Sequence, residues 1–444
     1  MELVSDSEAP PPSSDGRGGF FAVDRRAWTY VCRLGMNPAI AYLVLARGTG
    51  GDNRTTKWST NAIEQRTGIS RSRAAGAIAD LKQTKAIVRD PASKRDHPKY
   101  KVAPAHEIPG CEGFPPPALN PKQQRVFDQL GDNWTLVPTD IKPKQHEEYQ
   151  RWDTWWPHKI ADELVRLGRA IRRQDSAHYR AIRYNAEAAD KPDWIWLPNE
   201  IVDGAGDENP PVELVRQTGS APTLRLLVDL YGAQSLDEDG GIHFRHIRQN
   251  YKRLKVGERG PFVVWGFMPG TETAWANAPF VAPHLTGEQD EKGRDKGWDG
   301  FYACWNRLLR LGLIELVAHL VHADTKEGEI IHPMALEGTG LEVEQEVCRA
   351  ARAVALRMIT QGQFDWAKDQ GVVALAPVRR HIEEVQMLGI PRLRYRPKTN
   401  RTLAFIGREA DWRDVIARYE QIAGNANISA SGAPLATSRV IKVH

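Results

Sequence analysis

Residues 58–102 read WSTNAIEQRTGISRSRAAGAIADLKQTKAIVRDPASKRDHPKYKV, and no other stretch says as much about the fold. Ser59 or Thr60 can cap a short helix running to Arg66, because a hydroxyl accepts from an amide that the first turn leaves unpaired. Thr67 and Gly68 end that helix, since glycine tolerates the positive φ of a helix stop. Ile69 follows as an apolar plug. Ser70 then caps a second helix to about Gln83, with Ala74, Ala77, Ile78 and Leu81 on one face. Small residues at 74–77 let the first helix pack closely. A short strand (86–89), a polar tip (90–98) and a returning strand (99–102) complete the stretch as a hairpin.

Charge is concentrated in the same place. Residues 51–104 hold 12 Lys and Arg against 5 Asp and Glu, a surplus of +7. The whole chain is only +4, so the remainder sums to −3. A basic face on such a motif is the electrostatic footprint of a nucleic-acid binder. The alternative is a solvated face on a module that binds protein.

On these residues the chain resembles the winged helix-turn-helix superfamily, with Ser59, Gly68, Ile69, Ser70, Ala77 and Leu81 matching its usual pattern over residues 20–104. The resemblance implies that the N-terminal end of the second helix enters the major groove of double-stranded DNA and that the hairpin is the wing. Arg71 and Arg73 would then read guanine edges, each good bidentate pair giving roughly 1–3 kcal/mol of discrimination. Ser70, Ser72, Thr60 and Lys57, with Lys94, Arg95, Lys99 and Lys101 of the wing, would hold phosphates. A second, degenerate winged helix over 194–340 would make the whole similar to plasmid and phage replication initiators with two tandem copies.

The rest of the chain gives weaker signals. Residues 1–19 are rich in Pro, Ser and Gly and are expected to be disordered, as are 424–444. Residues 105–154 read as a proline- and tryptophan-rich linker. Residues 155–193 read as a basic helical connector, with Lys159, Arg166, Arg169, Arg172 and Arg173 beside an apolar face. Residues 194–340 form a second α+β module, in which 243–252 reads as a helix and 313–321 and 329–333 as strands. Residues 341–423 read as helical, including 378–388, with a densely basic run at 392–401 and a strand candidate at 402–406. No repeat is visible at the level of sequence. The expected fold class is mainly α with small β-hairpins.

Chemistry is hard to find. There is no phosphate-binding GxxxxGK[ST] loop. His243 and His246, and His319 and His322, are spaced three apart, which suits metal only on a helix. The four cysteines form no CxxC pair. No catalytic residue, cofactor or metal is expected. No apolar run approaches the roughly 20 residues of a membrane span, and the N-terminus has neither the basic start nor the apolar core of a secretory signal. The sequence thus points to a cytoplasmic, nucleoid-associated, non-catalytic protein that binds specific DNA sites. It would act as a regulator or origin-binding protein, as a homodimer or higher oligomer, with a protein partner for its C-terminal region. An assembly protein using the same modules on protein partners is the alternative.

Overall fold

The computed structural model describes residues 19–91, 93–94, 98–108, 111, 121–130, 135–136, 157–166, 170–172, 178–181, 192–236, 240–322, 329–382 and 384–428. The chain folds as two compact units. The first draws on 1–246, 274–314 and 393–403; the second on 247–273, 315–392 and 404–444. Both units therefore cut across the serial division expected from composition.

The first unit begins with β1 (Phe20–Asp24) and α1 (Arg25–Cys32). Asp24 is 1% exposed and works at both ends of its carboxylate. One oxygen accepts from the Arg26 amide at 3.0 Å, capping α1, and the other accepts from the Ala105 amide at 2.9 Å. In α2 (Met36–Arg47) every residue from Pro38 to Ala46 is buried, so it forms the axis of the module. A short strand, β2 (Thr55–Thr56), precedes α3 (Thr60–Thr67) and α4 (Arg71–Gln83). The turn between them rests on Gly68, whose φ of 62° is left-handed, the conformation glycine adopts without a Cβ penalty. The hairpin β3 (Ile87–Arg89) and β4 (Tyr100–Val102) closes a three-stranded sheet in the order β2-β4-β3. Ile40, Leu43, Ile63, Ile78, Leu81 and Ile87 are buried at its centre; truncating such a residue to alanine costs about 2–5 kcal/mol.

This module does not end at residue 104. β1 pairs antiparallel with β8 (Trp194–Pro198), Phe20 opposite Pro198 and Asp24 opposite Trp194. Arg47 and Arg66 both bind Asp203, at 2.7 and 3.0 Å. Their guanidiniums lie 5.6 and 3.8 Å from the Trp58 ring centre. Trp58 sits close enough to Gly48 that a Cβ there would approach its ring to 2.5 Å. Arg216 donates to the Thr67 carbonyl at 2.8 Å and is fixed by Glu213. The 194–232 stretch is thus part of the frame that holds α3 and its turn.

Residues expected to be linker and connector have a core of their own. α5 (Pro121–Gln129), β5 (Thr135–Leu136), α6 (Pro157–Arg166), β6 (Ala170–Arg172) and β7 (His178–Ala181) enclose Val126, Phe127, Leu130, Ile160, Ala161, Leu164, Ala170 and Tyr179. The strands lie in the order β5-β7-β6. Tyr179 donates its hydroxyl to Asp162 at 2.7 Å, tying β7 to α6. The expected basic helical connector over 155–193 therefore holds a ten-residue helix followed by strands.

After β8 (Trp194–Pro198), the first unit continues through α7 (Glu200–Asp203), α8 (Pro211–Gln217) and α9 (Ala221–Tyr231), then β9 (Gln234–Ser235) and β10 (Gly241–Ile242). The chain next enters the second unit through β11 (Ile247–Arg259) and β12 (Phe262–Ala274) and returns to the first with α10 (Gly297–Arg310).

The second unit overturns the expected fold class. Its centre is a curled, antiparallel six-stranded sheet, and the protein is 45% helix and 25% strand, an α+β mixture rather than mainly α. The sheet order is β14-β13-β16-β11-β12-β15, with β13 (Ile314–His322), β14 (Glu329–Pro333), β15 (Ala374–Arg379) and β16 (Val385–Leu393). The helix α11 (Glu342–Met358) buries Val343, Val347, Ala351, Val354 and Met358 in the core. Then come α12 (Gln361–Asp369), α13 (Asn400–Gly407) and α14 (Glu409–Ile428), the last contributing Trp412 and Tyr419. The helix–strand–strand order near 297–333 is not a degenerate winged helix, because β13 and β14 belong to the large sheet. The helix expected at 243–252 is largely β11. The one expected at 378–388 is the end of β15 and the start of β16, and 402–406 is helical. Val378, Ile382, Val385 and Leu388 fall at helical spacing by accident, and non-local strand pairing overrides it. The last helix runs to Ile428, into the expected tail; residues 1–18 and 429–444 lie outside the described residues.

Candidate nucleic-acid interface

Helix α4 packs against α2, α3 and β3. Ala74, Ala77, Ile78 and Leu81 face inward and fix its rotation. Arg71, Ser72, Arg73, Ala75, Gly76 and Ala79 are left exposed. At 100° per residue, the outermost positions are Ser72, Gly76, Ala79 and Gln83, with Ala75 and the exposed Asp80 beside them and Arg71 and Arg73 on the two flanks. Where that face is small, at Ser72, Ala75, Gly76 and Ala79, the helix can bring its backbone close to a flat or grooved surface while its flanking cations reach sideways.

The N-terminal end is built differently from expectation. Ser70 is the N-cap residue and its carbonyl accepts from Ala74 at 2.9 Å, but its hydroxyl makes no capping bond. That hydroxyl lies 3.4 Å from the Ser72 hydroxyl instead. Ser59, at the N-cap of α3, likewise makes no side-chain cap. Both serines at the start of α4 are exposed beside amides that the helix does not pair, an arrangement that suits an anion. Thr60 is half-buried in the first turn of α3, and Lys57 before it is exposed.

In the hairpin, Ile87 opposite Val102 and Tyr100 face the core, while Val88 opposite Lys101 faces solvent. Lys94 and Lys99 are exposed. Arg89 is exposed but is held along the hairpin, donating to the Ser93 hydroxyl and the Lys94 carbonyl. Arg95 lies outside the described residues. Sequence reasoning passed over Lys82 and Lys85, exposed at the C-terminal end of α4; cations there also suit the helix dipole, which hides any other role.

The electrostatic arrangement separates two kinds of cation. Arg47, Arg54 and Arg66 are bound to Asp203, Glu107 and Asp203. Among the described residues, Lys57, Arg71, Arg73, Lys94, Lys99 and Lys101 have no carboxylate partner. The framework arginines are neutralised and the exposed ones on α4 and the hairpin are not.

The histidine pairs take other roles. His243 and His246 occupy a turn, not a helix, with ring centres 6.3 Å apart. Burial, with Arg245 and His246 adding to it, pushes His243 down to about 4. His319 is buried within the second unit's sheet, where Arg392 donates to its Nε2 at 3.0 Å. Among the described residues no three His, Cys, Asp or Glu side chains converge as a metal site would require. Among them, too, no helix is long and apolar enough to cross a membrane. No protein-family model, curated protein or solved structure matches the chain.

Proposed function

We propose that residues 20–104, held by the 194–232 stretch, act as a winged helix-turn-helix that binds specific sites in double-stranded DNA. The observation that carries the reading is the set of exposed cations on α4 and the hairpin that have no carboxylate partner among the described residues, flanking the small residues Ser72, Ala75, Gly76 and Ala79. Arg71 and Arg73 read base edges from the flanks of α4. Ser70, Ser72, Thr60 and Lys57 hold phosphates at its start, and Lys94, Arg95, Lys99 and Lys101 hold them from the wing. The protein is non-catalytic and works in the cytoplasm on the nucleoid, as a regulator or an origin-binding initiator of a plasmid- or phage-type element. The helix order and the β2-β4-β3 sheet support the family assignment.

The test is selection of preferred sites from a random duplex pool, then titration at several salt concentrations. A linear fall of log affinity with log salt is expected, and Arg71→Ala or Arg73→Ala should relax one base position. Recovery of no preferred site, with salt-insensitive binding, would turn the reading toward an assembly protein.

A further inference from the structure

The outward side of α4 carries one charge that no phosphate contact explains. Asp80 is exposed, and among the described residues its carboxylate has no hydrogen bond and no ion pair. Only its backbone carbonyl is engaged, accepting from the Thr84 amide at 3.1 Å and the Thr84 hydroxyl at 3.0 Å. It stands in the last turn of α4, where the negative end of the helix dipole opposes a carboxylate. The positions three and four residues to either side are Gly76, Ala77, Gln83 and Thr84, so no cation on the helix pairs with it. For the fold alone, an uncharged side chain would serve better here.

Gly76, one turn earlier, has the same character. Glycine inside a helix is less stable than alanine. A Cβ at this position would meet nothing within 4 Å, so no packing inside the chain requires its absence. Arg73, Gly76 and Asp80 line one side of a shallow groove of about 380 Å³, opposite Leu34, Met36 and Pro38. At 100° per residue Arg73 and Asp80 share a flank, and Arg71 and Lys82 share the other. The Arg73 flank thus holds a donor fork and an acceptor. About 10.5 Å of helix rise separates them, roughly three base-pair steps.

A carboxylate repels phosphates, and it repels the acceptor atoms that guanine and thymine present in the major groove. The donors it can accept from there are exocyclic amino groups, with cytosine N4 the matching partner. Aspartate is short, so it reaches a base edge only where the helix backbone comes close. The bare backbone at Gly76 permits that approach. We infer that Asp80 is a specificity-determining residue of α4, accepting from a cytosine amino group about three base pairs from the guanine that Arg73 reads. α4 then lies along the groove over most of its length, rather than entering by its N-terminal end alone. The inference rests on the DNA-binding reading of α4 and adds to it a base that cations cannot specify.

The experiment uses the full chain, a random duplex pool, and the variants Asp80→Asn, Asp80→Ala and Gly76→Leu. Sites selected by the wild type should hold a fixed cytosine about three pairs from the position that relaxes in Arg73→Ala. Replacing that cytosine should cost the wild type roughly five- to a hundredfold in affinity. Asp80→Asn should move the preference at that pair, and at no other, to adenine, because an amide matches adenine N6 and N7. Asp80→Ala should relax it. Both variants should bind unrelated duplex at least as tightly as the wild type, since a charge that repels phosphate is gone. Neither removes an internal contact, and thermal melting should be no lower in either. A purely electrostatic role would shift all sequences alike. A selected site without the cytosine, or base preferences unchanged in both Asp80 variants, overturns the inference. Gly76→Leu tests the reading beneath it. Leucine has open space there and suits a helix, yet its bulk holds a duplex away. Affinity for the selected site should fall roughly tenfold or more, as when close base contacts are broken. If Gly76→Leu binds like the wild type, α4 does not face DNA and the first reading fails. If it loses binding while the Asp80 variants keep every base preference, the inference about Asp80 alone fails.

Discussion

Two basic runs look alike on paper and behave oppositely in the fold. Arg71, Arg73, Lys94, Lys99 and Lys101 of the N-terminal module stand exposed without a carboxylate partner among the described residues. In the 392–401 run, Arg392 is wholly buried in a bidentate pair with Glu344, at 2.6 and 2.9 Å. Arg394 and Tyr395 both bind Glu208, at 2.6 and 2.7 Å, and Arg396 and Arg401 also have partners. Density of positive charge along a chain does not predict a charged surface. What matters is whether the fold brings a carboxylate to each cation.

The largest expected effect tests the buried side of that contrast. Burial opposes ionisation of Glu344, and Arg392 more than offsets it, holding the carboxyl below its usual range. Arg392→Ala would strand that carboxylate, and breaking one partner of a buried pair costs about 3–5 kcal/mol. Denaturant unfolding should show the destabilisation. If Arg392→Ala instead left stability intact and weakened DNA binding, the contrast between the two runs would collapse.

Acid should act on the same unit. The His319 Nδ1–H donates to the Val317 carbonyl, so its Nε2 is free to accept from Arg392. Burial and the Arg392 charge push this histidine down to about 3. His332 is arranged in the same way, donating to Pro333 and accepting from the Tyr419 hydroxyl, and burial pushes it down to about 4. Both must be neutral in the folded protein. Their contribution is complete above the unfolded value near 6.5 and is lost as pH falls from there, toward about 4 for His332 and about 3 for His319. Near pH 5 each would have given up roughly 2 kcal/mol. Unfolding midpoints measured from pH 8 to pH 4.5 should fall steeply below pH 6.5, and His332→Gln should flatten the slope. A flat profile would mean these rings are not held neutral.

On the exposed side, Arg71→Ala and Arg73→Ala should leave stability within about 0.5 kcal/mol, as surface changes do. Affinity for the preferred site should fall by roughly 1–3 kcal/mol each. A matching drop in stability would show that these arginines belong to the framework after all.

Local signals were readable and distant ones were not. Gly68, the apolar face of α4 and the alternation of the hairpin each lie within a few residues of the feature they specify. The partner of Arg392 is 48 positions away, so its burial leaves no local trace. β11 interleaves Arg248, Lys252, Arg253 and Lys255 with its apolar residues, which masks the alternation of a strand. The 121–181 module has strands of two to four residues, too short to carry a period. The site residues were legible as types, but whether each cation was free to act was not.

The smallest expected effect sharpens the comparison most. Arg47 and Arg66 are cations of the same module as Arg71 and Arg73, yet both bind Asp203 and lie against Trp58. If paired cations serve only the framework, Asp203→Asn should cost no more than about 1 kcal/mol, the ordinary worth of partly exposed ion pairs. Their charge is then unpaired, but the Arg66 guanidinium remains 3.8 Å from the Trp58 ring centre and α4 keeps its own buried neighbours. Binding to the preferred site should therefore change less than in Arg71→Ala, and base preference should be unaltered. Melting temperature and site affinity measured on the same preparation separate the outcomes. A fall in affinity as large as that of Arg71→Ala, at unchanged salt slope, would mean that the brace sets the angle at which α3 presents α4. The paired arginines would then act on recognition through position, and the division between framework and contact cations would have to be drawn elsewhere.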